Sequence, residues 1–227
     1  MKGVTKMNRQ ELATMIDHTL LKPNATEAMI RQTCQEALDF HTAIVCVNSY
    51  WIPLVNQLLA GSSVKPIAVI GFPLGASLTE AKVAEAQLAI DAGAKEIDMI
   101  INLGALIAGD DQTVAKDIQA VAEACHSKEA LLKVIMETSY LTHQQKVKAC
   151  QLVESAGADF VKTSTGFPDG GATVEDVALM RQTVGDGVQV KASGGIHSYQ
   201  EAMAMIEAGA DRPGLSGTAK VLASTSE

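Results

Sequence analysis

The chain has 227 residues, room for one large domain or two small ones. A net charge of −8 and a pI near 5.1 argue against a general binder of nucleic acid or of an anionic membrane surface, while leaving room for a local positive site. Hydrophobic content is 47% and aromatic content only 4%, so the core must come from Ala, Val, Ile, Leu and Met, a palette suited to helices packed on a β-branched parallel sheet.

Residues 1–7 carry no apolar stretch after their charges, and no secretory signal is expected there. Residues 8–14 read as a short helix capping the barrel bottom inferred below. Candidate strands then follow at 15–18, 43–47, 67–70, 96–101, 132–136, 159–162, 188–191 and 212–216. With Asp17, Cys46, Ile70, Asp98, Ile135, Lys162, Lys191 and Gly214 as markers, the successive gaps are 29, 24, 28, 37, 27, 29 and 23 residues. A steady strand-plus-helix period in a chain near the usual ~250 residues predicts an α/β fold, a (β/α)8 TIM barrel forming a single domain over residues 1–227. The longest gap holds an extra segment, 103–111, expected as a loop with a helical turn. Ala92-Gly93-Ala94, Ala156-Gly157-Ala158 and Ala208-Gly209-Ala210 each close a helical stretch before a strand, with Gly as the left-handed closing residue. Residues 221–227 read as a frayed tail. The apolar run 99–109 is shorter than the roughly 18 residues that a membrane span needs.

Function in such a barrel sits at the C-terminal ends of the strands. Those ends bring Asp17, Cys46, Asp98, Glu137, Lys162 and Lys191 to one mouth. Lys162 and Lys191 end two matching apolar runs, each of which then breaks into small hydroxyl and glycine residues. Two amines held together away from water cannot both stay protonated cheaply, so one becomes a nucleophile and the other holds down its pKa and assists proton transfer. An amine nucleophile implies Schiff-base chemistry on a carbonyl. Asp98 shares one side of its strand with Glu96 and must find a cation; beside an amine it can also serve as a general base. The loops Thr165-Gly166, Ser193-Gly194-Gly195 and Gly214-Leu215-Ser216-Gly217-Thr218 offer backbone amides for a phosphate, with ordinary tight turns as the alternative.

Cys34, Cys46, Cys125 and Cys150 are scattered without C-x-x-C spacing and read as reduced thiols in a cytoplasmic protein, Cys46 as a small core residue. His18, His41, His126, His143 and His197 lack metal-ligand spacing; surface or packing roles are expected, and no metal.

Several segments resemble the deoxyribose-phosphate aldolase family of class I aldolases. They are Ile16-Asp17-His18-Thr19-Leu20-Leu21-Lys22-Pro23, Val45-Cys46-Val47-Asn48, Val69-Ile70-Gly71-Phe72-Pro73-Leu74-Gly75-Ala76, Thr79-Glu80-Ala81-Lys82, Glu96-Ile97-Asp98-Met99-Ile100-Ile101-Asn102, Lys133-Val134-Ile135-Met136-Glu137-Thr138, Phe160-Val161-Lys162-Thr163-Ser164-Thr165-Gly166 and Val190-Lys191-Ala192-Ser193-Gly194-Gly195-Ile196. The resemblance implies reversible cleavage of 2-deoxy-D-ribose 5-phosphate to acetaldehyde and D-glyceraldehyde 3-phosphate. It implies Lys162 as the Schiff-base residue with Lys191 and Asp98 as proton-transfer partners, while the glycine loops read above would place Gly166, Gly194, Gly195, Gly214 and Ser216 around the phosphate. Asp17, Cys46 and Thr165 would support them. No cofactor is required, the partners are the small sugar phosphate and acetaldehyde, and barrels of this kind often pair as homodimers. Pro213, Leu215 and His197 depart from the family pattern. A different class I aldolase and a non-catalytic sugar-phosphate-binding barrel are the readings that compete with this one.

Overall fold

The computed structural model describes residues 7–224. Eight parallel strands close in sequence order: β1 (Asp17–Leu20), β2 (Ile44–Asn48), β3 (Lys65–Ile70), β4 (Glu96–Ile100), β5 (Leu131–Ile135), β6 (Phe160–Lys162), β7 (Gln189–Ser193) and β8 (Arg212–Leu215), with β8 pairing back to β1. Helices α2 (Glu27–Phe40), α3 (Ile52–Leu58), α4 (Thr79–Asp91), α6 (Asp111–His126), α7 (His143–Ser155), α8 (Val174–Thr183), α9 (Tyr199–Glu207) and α10 (Thr218–Ala223) follow the strands; α1 (Arg9–Ala13) precedes the barrel and α5 (Leu103–Ala108) is the extra element. This is the single-domain (β/α)8 barrel that the strand spacing predicts. No helix among the described residues is long and apolar enough to cross a membrane.

Strand alternation separates two cores. Ile97, Met99, Leu132, Val134, Val161, Val190 and Ala192 face outward into the apolar shell beneath the helices. Inside the barrel, Ile44, Cys46, Ile67 and Val69 form a small apolar cluster with Leu21 on the β1–β3 side. The opposite inner wall is charged.

The helix ends follow local chemistry. Thr26, Thr142, Thr173 and Ser198 cap their helices through side-chain oxygens that accept backbone N–H bonds, with Gln145 completing a capping box at Thr142. Gly93, Gly157 and Gly209 hold φ of +118°, +82° and +111°. A Cβ at Gly93 would meet the Asn56 side chain at 2.3 Å, so conformation and space both demand glycine there.

Some boundaries differ from expectation. β1 begins at Asp17 because Met15 and Ile16 still donate to Leu12 and Ala13 in the turn that ends α1. Residues 103–108 are a full short helix, since the Asn102 side chain caps the Ala105 N–H and Gly109 closes the end at φ +79°. Residues 221–223 belong to α10 rather than to a frayed tail, because Val221 and Leu222 are buried; 225–227 lie outside the described residues.

One buried ion pair ties the outer helices to the barrel. Lys82 Nζ lies 2.6 Å from Asp117 Oδ2 and donates to the Ile100 carbonyl at 3.0 Å, while Thr79 Oγ1 donates to Asp117 Oδ1. The Lys82 stem fills the space beside Gly71, whose φ is +57°. Removing one partner leaves an uncompensated buried charge. Asp117→Ala is expected to cost about 3–5 kcal/mol in urea unfolding, and the double variant Lys82→Met/Asp117→Leu to recover much of that loss. Equal stability of the single and double variants contradicts this assignment.

Candidate active site

The charged inner wall grows from six neighbouring strands, β4 to β8 and β1. In register, Asp98 on β4 lies beside Lys133 on β5, and Lys162 on β6 lies directly opposite Lys191 on β7. Like charges opposite one another in a ladder repel. The arrangement therefore needs a shared anion, and Asp98 supplies it: its Oδ2 lies 2.6 Å from Lys162 Nζ and 2.8 Å from Lys191 Nζ. Lys133 Nζ approaches Asp98 Oδ1 at 3.3 Å, also pairs with Glu96, and lies over the Phe160 ring. Lys191 Nζ has a second carboxylate, Asp17 Oδ2, at 2.5 Å. Arg212 completes the circuit to Asp17 Oδ1 at 3.2 Å and Glu96 Oε1 at 3.3 Å.

The charges in this network do not balance if all stay ionised. Asp17, Glu96 and Asp98 face Lys133, Lys162, Lys191 and Arg212, three acids against four bases. Lys162 is the base with least support, since among the described residues it pairs only with the shared Asp98 oxygen. Burial pushes its pKa below the ordinary lysine range, Asp98 opposes this, and the Lys191 charge adds to the lowering. Lys191 is also penalised by burial, but Asp17 and Asp98 outweigh that and hold it well above the ordinary range. Burial alone would raise Asp98; Lys133, Lys162 and Lys191 reverse this and hold it well below the usual carboxylate range. Asp17 is lowered in the same way, with Lys191 as its strongest cation. The site thus offers a neutral amine at low cost beside a secure ammonium and a secure carboxylate. That pairing suits nucleophilic attack on a carbonyl with proton transfer close by.

Lys162, Lys191, Asp98, Asp17 and Cys46 are brought together, although Asp17 and Asp98 lie below the rim: Asp17 opens β1, and Asp98 is central in β4. Burial pushes the Cys46 thiol up to about 11, with Asp98 adding to the rise, so Cys46 is an apolar wall residue. Glu137 does not join the lysines. It turns instead to Thr165, whose backbone N–H it accepts at 3.1 Å and whose hydroxyl donates to the same oxygen. Lys133 and Arg212 join the network beyond what the strand-end pattern implies, and Glu96 enters it from the side of β4 that it shares with Asp98. The signal available for Lys133 was alternation, which puts it on the inner face of β5 at the level of Asp98.

The glycine loops divide. Gly166, Gly194 and Gly195 hold φ of +83°, +83° and +74°, and among the described residues their N–H groups have no hydrogen-bond partner; the same is true of Ser216 and Gly217. These free amides at the mouth can receive an anion. Gly214 is different. It sits inside β8 opposite Asp17 and Ser193, and a Cβ there would lie 3.1 Å from Lys191 Cε and 3.0 Å from Ser193 Cβ. Its place in the sequence makes room for the lysine rather than facing the rim. Pro213 stands opposite Ala192, two residues after Asp211 donates to Val190; lacking a proton, it drops one ladder bond between β7 and β8. Leu215 packs outward in the apolar shell, and His197 is exposed beside Glu201. His18 is buried, bonded through Nδ1 to Thr218 Oγ1 at 2.8 Å and through Nε2 to Glu36 at 3.2 Å.

Residues 12–224 match the model of the DeoC/LacD family aldolases. Deoxyribose-phosphate aldolase of Brevibacillus brevis is 58% identical over 91% of this chain and 93% of its own length, and that of Thermococcus gammatolerans is 53% identical over 93% and 95%. Among solved structures, a putative deoxyribose-phosphate aldolase from Coccidioides immitis superposes with a TM-score of 0.92 at 41% identity, covering 95% of this chain and 86% of that one. The deoxyribose phosphate aldolase of Aeropyrum pernix, described as a unique tetramer, gives 0.90 at 34% identity, covering 96% and 92%. Family match and relatives extend over nearly the whole chain, and the chain belongs to the DeoC/LacD family of aldolases.

Proposed function

We propose that this protein reversibly cleaves 2-deoxy-D-ribose 5-phosphate to acetaldehyde and D-glyceraldehyde 3-phosphate, with Lys162 as the Schiff-base residue. The observation that carries the reading is one carboxylate oxygen, Asp98 Oδ2, held between two opposed lysines of which only Lys191 has a second acid. Its relatives' names supply the substrate.

Neutral Lys162 attacks the C1 aldehyde of the open-chain sugar, and loss of water gives an iminium. Carbon count places the scission at C2–C3: acetaldehyde keeps C1 and C2, and glyceraldehyde 3-phosphate takes C3 to C5. The bond breaks as the C3 hydroxyl gives up its proton and the C2–C3 electron pair moves toward the iminium nitrogen, leaving an enamine. Asp98 accepts that proton, directly or through water. A carboxylate stabilised by three cations is a weak base, so it acts as a relay rather than a store. Lys191, held protonated by two carboxylates, is the acid that returns a proton to enamine C2. Hydrolysis of the resulting iminium then frees acetaldehyde and Lys162. The lysine is the electron sink throughout.

The free amides of Gly166, Gly194, Gly195, Ser216 and Gly217 support a phosphate site at the mouth, with Thr165 beside it. Backbone dipoles let a chain of net charge −8 receive an anion. Four buried cysteines, none in a disulfide, support a cytoplasmic location. Pairing of two copies belongs to the same proposal and finds support in exposed Tyr50 and Leu88, which line one shallow groove.

Lys162→Ala and Lys162→Arg should abolish cleavage, and Asp98→Asn should lower kcat by about 10²–10⁴-fold, measured by coupling release of glyceraldehyde 3-phosphate to a dehydrogenase. Turnover by Lys162→Ala at the wild-type rate rules the mechanism out. The pH dependence has a definite sign: protonation of Lys162 stops attack, so kcat/KM falls as pH falls through a limb below the ordinary lysine range. A limb in the ordinary lysine range means that Lys162 is not the perturbed amine.

A further inference from the structure

The geometry points to Glu137 as a positioning residue for the phosphate end of the substrate, acting through Thr165 on the Gly166 amide; this rests on the function proposed above. Three observations converge on it. Glu137 is a non-glycine residue in the left-handed region, at φ +51° and ψ +66°, in the turn that follows β5 after Met136. Such a conformation persists only where the surroundings enforce it. Here the Thr138 N–H donates to the Thr163 carbonyl at 3.0 Å, which seats the turn against the start of the β6 loop.

The carboxylate is buried and spends one oxygen, Oε2, on Thr165 alone, taking both its N–H and its hydroxyl proton. Because the hydroxyl proton points at Glu137, the Thr165 oxygen is left to accept, and the Phe167 N–H donates to it at 3.2 Å. Two of three consecutive amides, those of Thr165 and Phe167, are thereby turned inward. The amide between them, on Gly166, is left without a partner at the mouth. The far end of the loop is steadied by the Phe167 ring, which meets Phe72 edge-on with centroids 5.0 Å apart. A buried carboxylate with charge-assisted bonds is a stiffer anchor than a neutral acceptor.

Glu137 makes no hydrogen bond or ion pair with Lys162, Lys191 or Asp98 among the described residues. Its effect should therefore appear in recognition of the phosphate and not in the carbon–carbon step. That separates it from a residue that merely supports the fold.

The test compares Glu137→Gly, which relieves the left-handed backbone while deleting the carboxylate, with Glu137→Gln, which keeps an acceptor oxygen in place. Kinetics are measured on 2-deoxyribose 5-phosphate and on unphosphorylated 2-deoxyribose, along with competitive inhibition by inorganic phosphate. The expected result for Glu137→Gly is a KM for the phosphorylated sugar, and a phosphate inhibition constant, each raised about tenfold or more. Its kcat/KM on the unphosphorylated sugar should stay within about threefold, and Glu137→Gln should recover most of the loss. Equal losses on both sugars, or none on either, overturn the inference. If Glu137→Gly does not fold, Glu137→Asn, which tolerates the left-handed backbone but is too short to reach Thr165, carries the same expectation. Wild-type protein that cleaves neither sugar overturns the aldolase reading and this inference with it, whereas active wild type with unchanged Glu137→Gly and Glu137→Asn overturns only the clamp.

Discussion

A single carboxylate oxygen shared by two lysines is the constraint around which the interior is arranged. Lys162 and Lys191 are neighbours by register, so closing the barrel forces their amines together. Asp98 Oδ2 relieves the repulsion but cannot satisfy both equally. Asp17 decides between them by adding its charge to Lys191. The difference between two chemically identical side chains thus comes from one additional acid on β1, and in the mechanism proposed above it would separate a nucleophile from a proton donor.

Burying so many charges is expensive, and replacing them by apolar residues would be neutral or stabilising in many proteins. Here the cost is spread through a circuit in which Lys133, Glu96 and Arg212 connect Asp98 back to Asp17. The apolar shell beneath the helices and the small inner cluster around Cys46 and Val69 keep water from screening it. Without that exclusion, Lys162 would titrate like a surface lysine. Packing and chemistry are linked at Gly214 too, where the absence of a side chain admits the Lys191 stem.

Much of this was legible in the sequence, for identifiable reasons. Strand spacing near 28 residues and three Ala-Gly-Ala helix endings imply the repeat, and an apolar run ending in Lys and then small residues marks Lys162 and Lys191. Alternation places Asp98 inside. What escaped depends on closure. Arg212 meets Asp17 and Glu96 only because β8 returns to β1 and the side chain crosses the interior, a relation between residues 195 and 116 positions apart. Glu137 looked like another member of the mouth because it follows β5, but a left-handed turn swings it to Thr165. Gly214 looked like part of a phosphate loop because it opens the run Gly214-Leu215-Ser216-Gly217-Thr218; the steric demand of a lysine on the preceding strand is invisible to local pattern.

The central claim is that the two lysines differ and that Lys162 is the one that attacks. The most direct test is incubation with acetaldehyde and borohydride followed by intact mass and peptide mapping. The account predicts one reduced two-carbon adduct per chain, on Lys162. An adduct on Lys191, or none in folded protein, would contradict it.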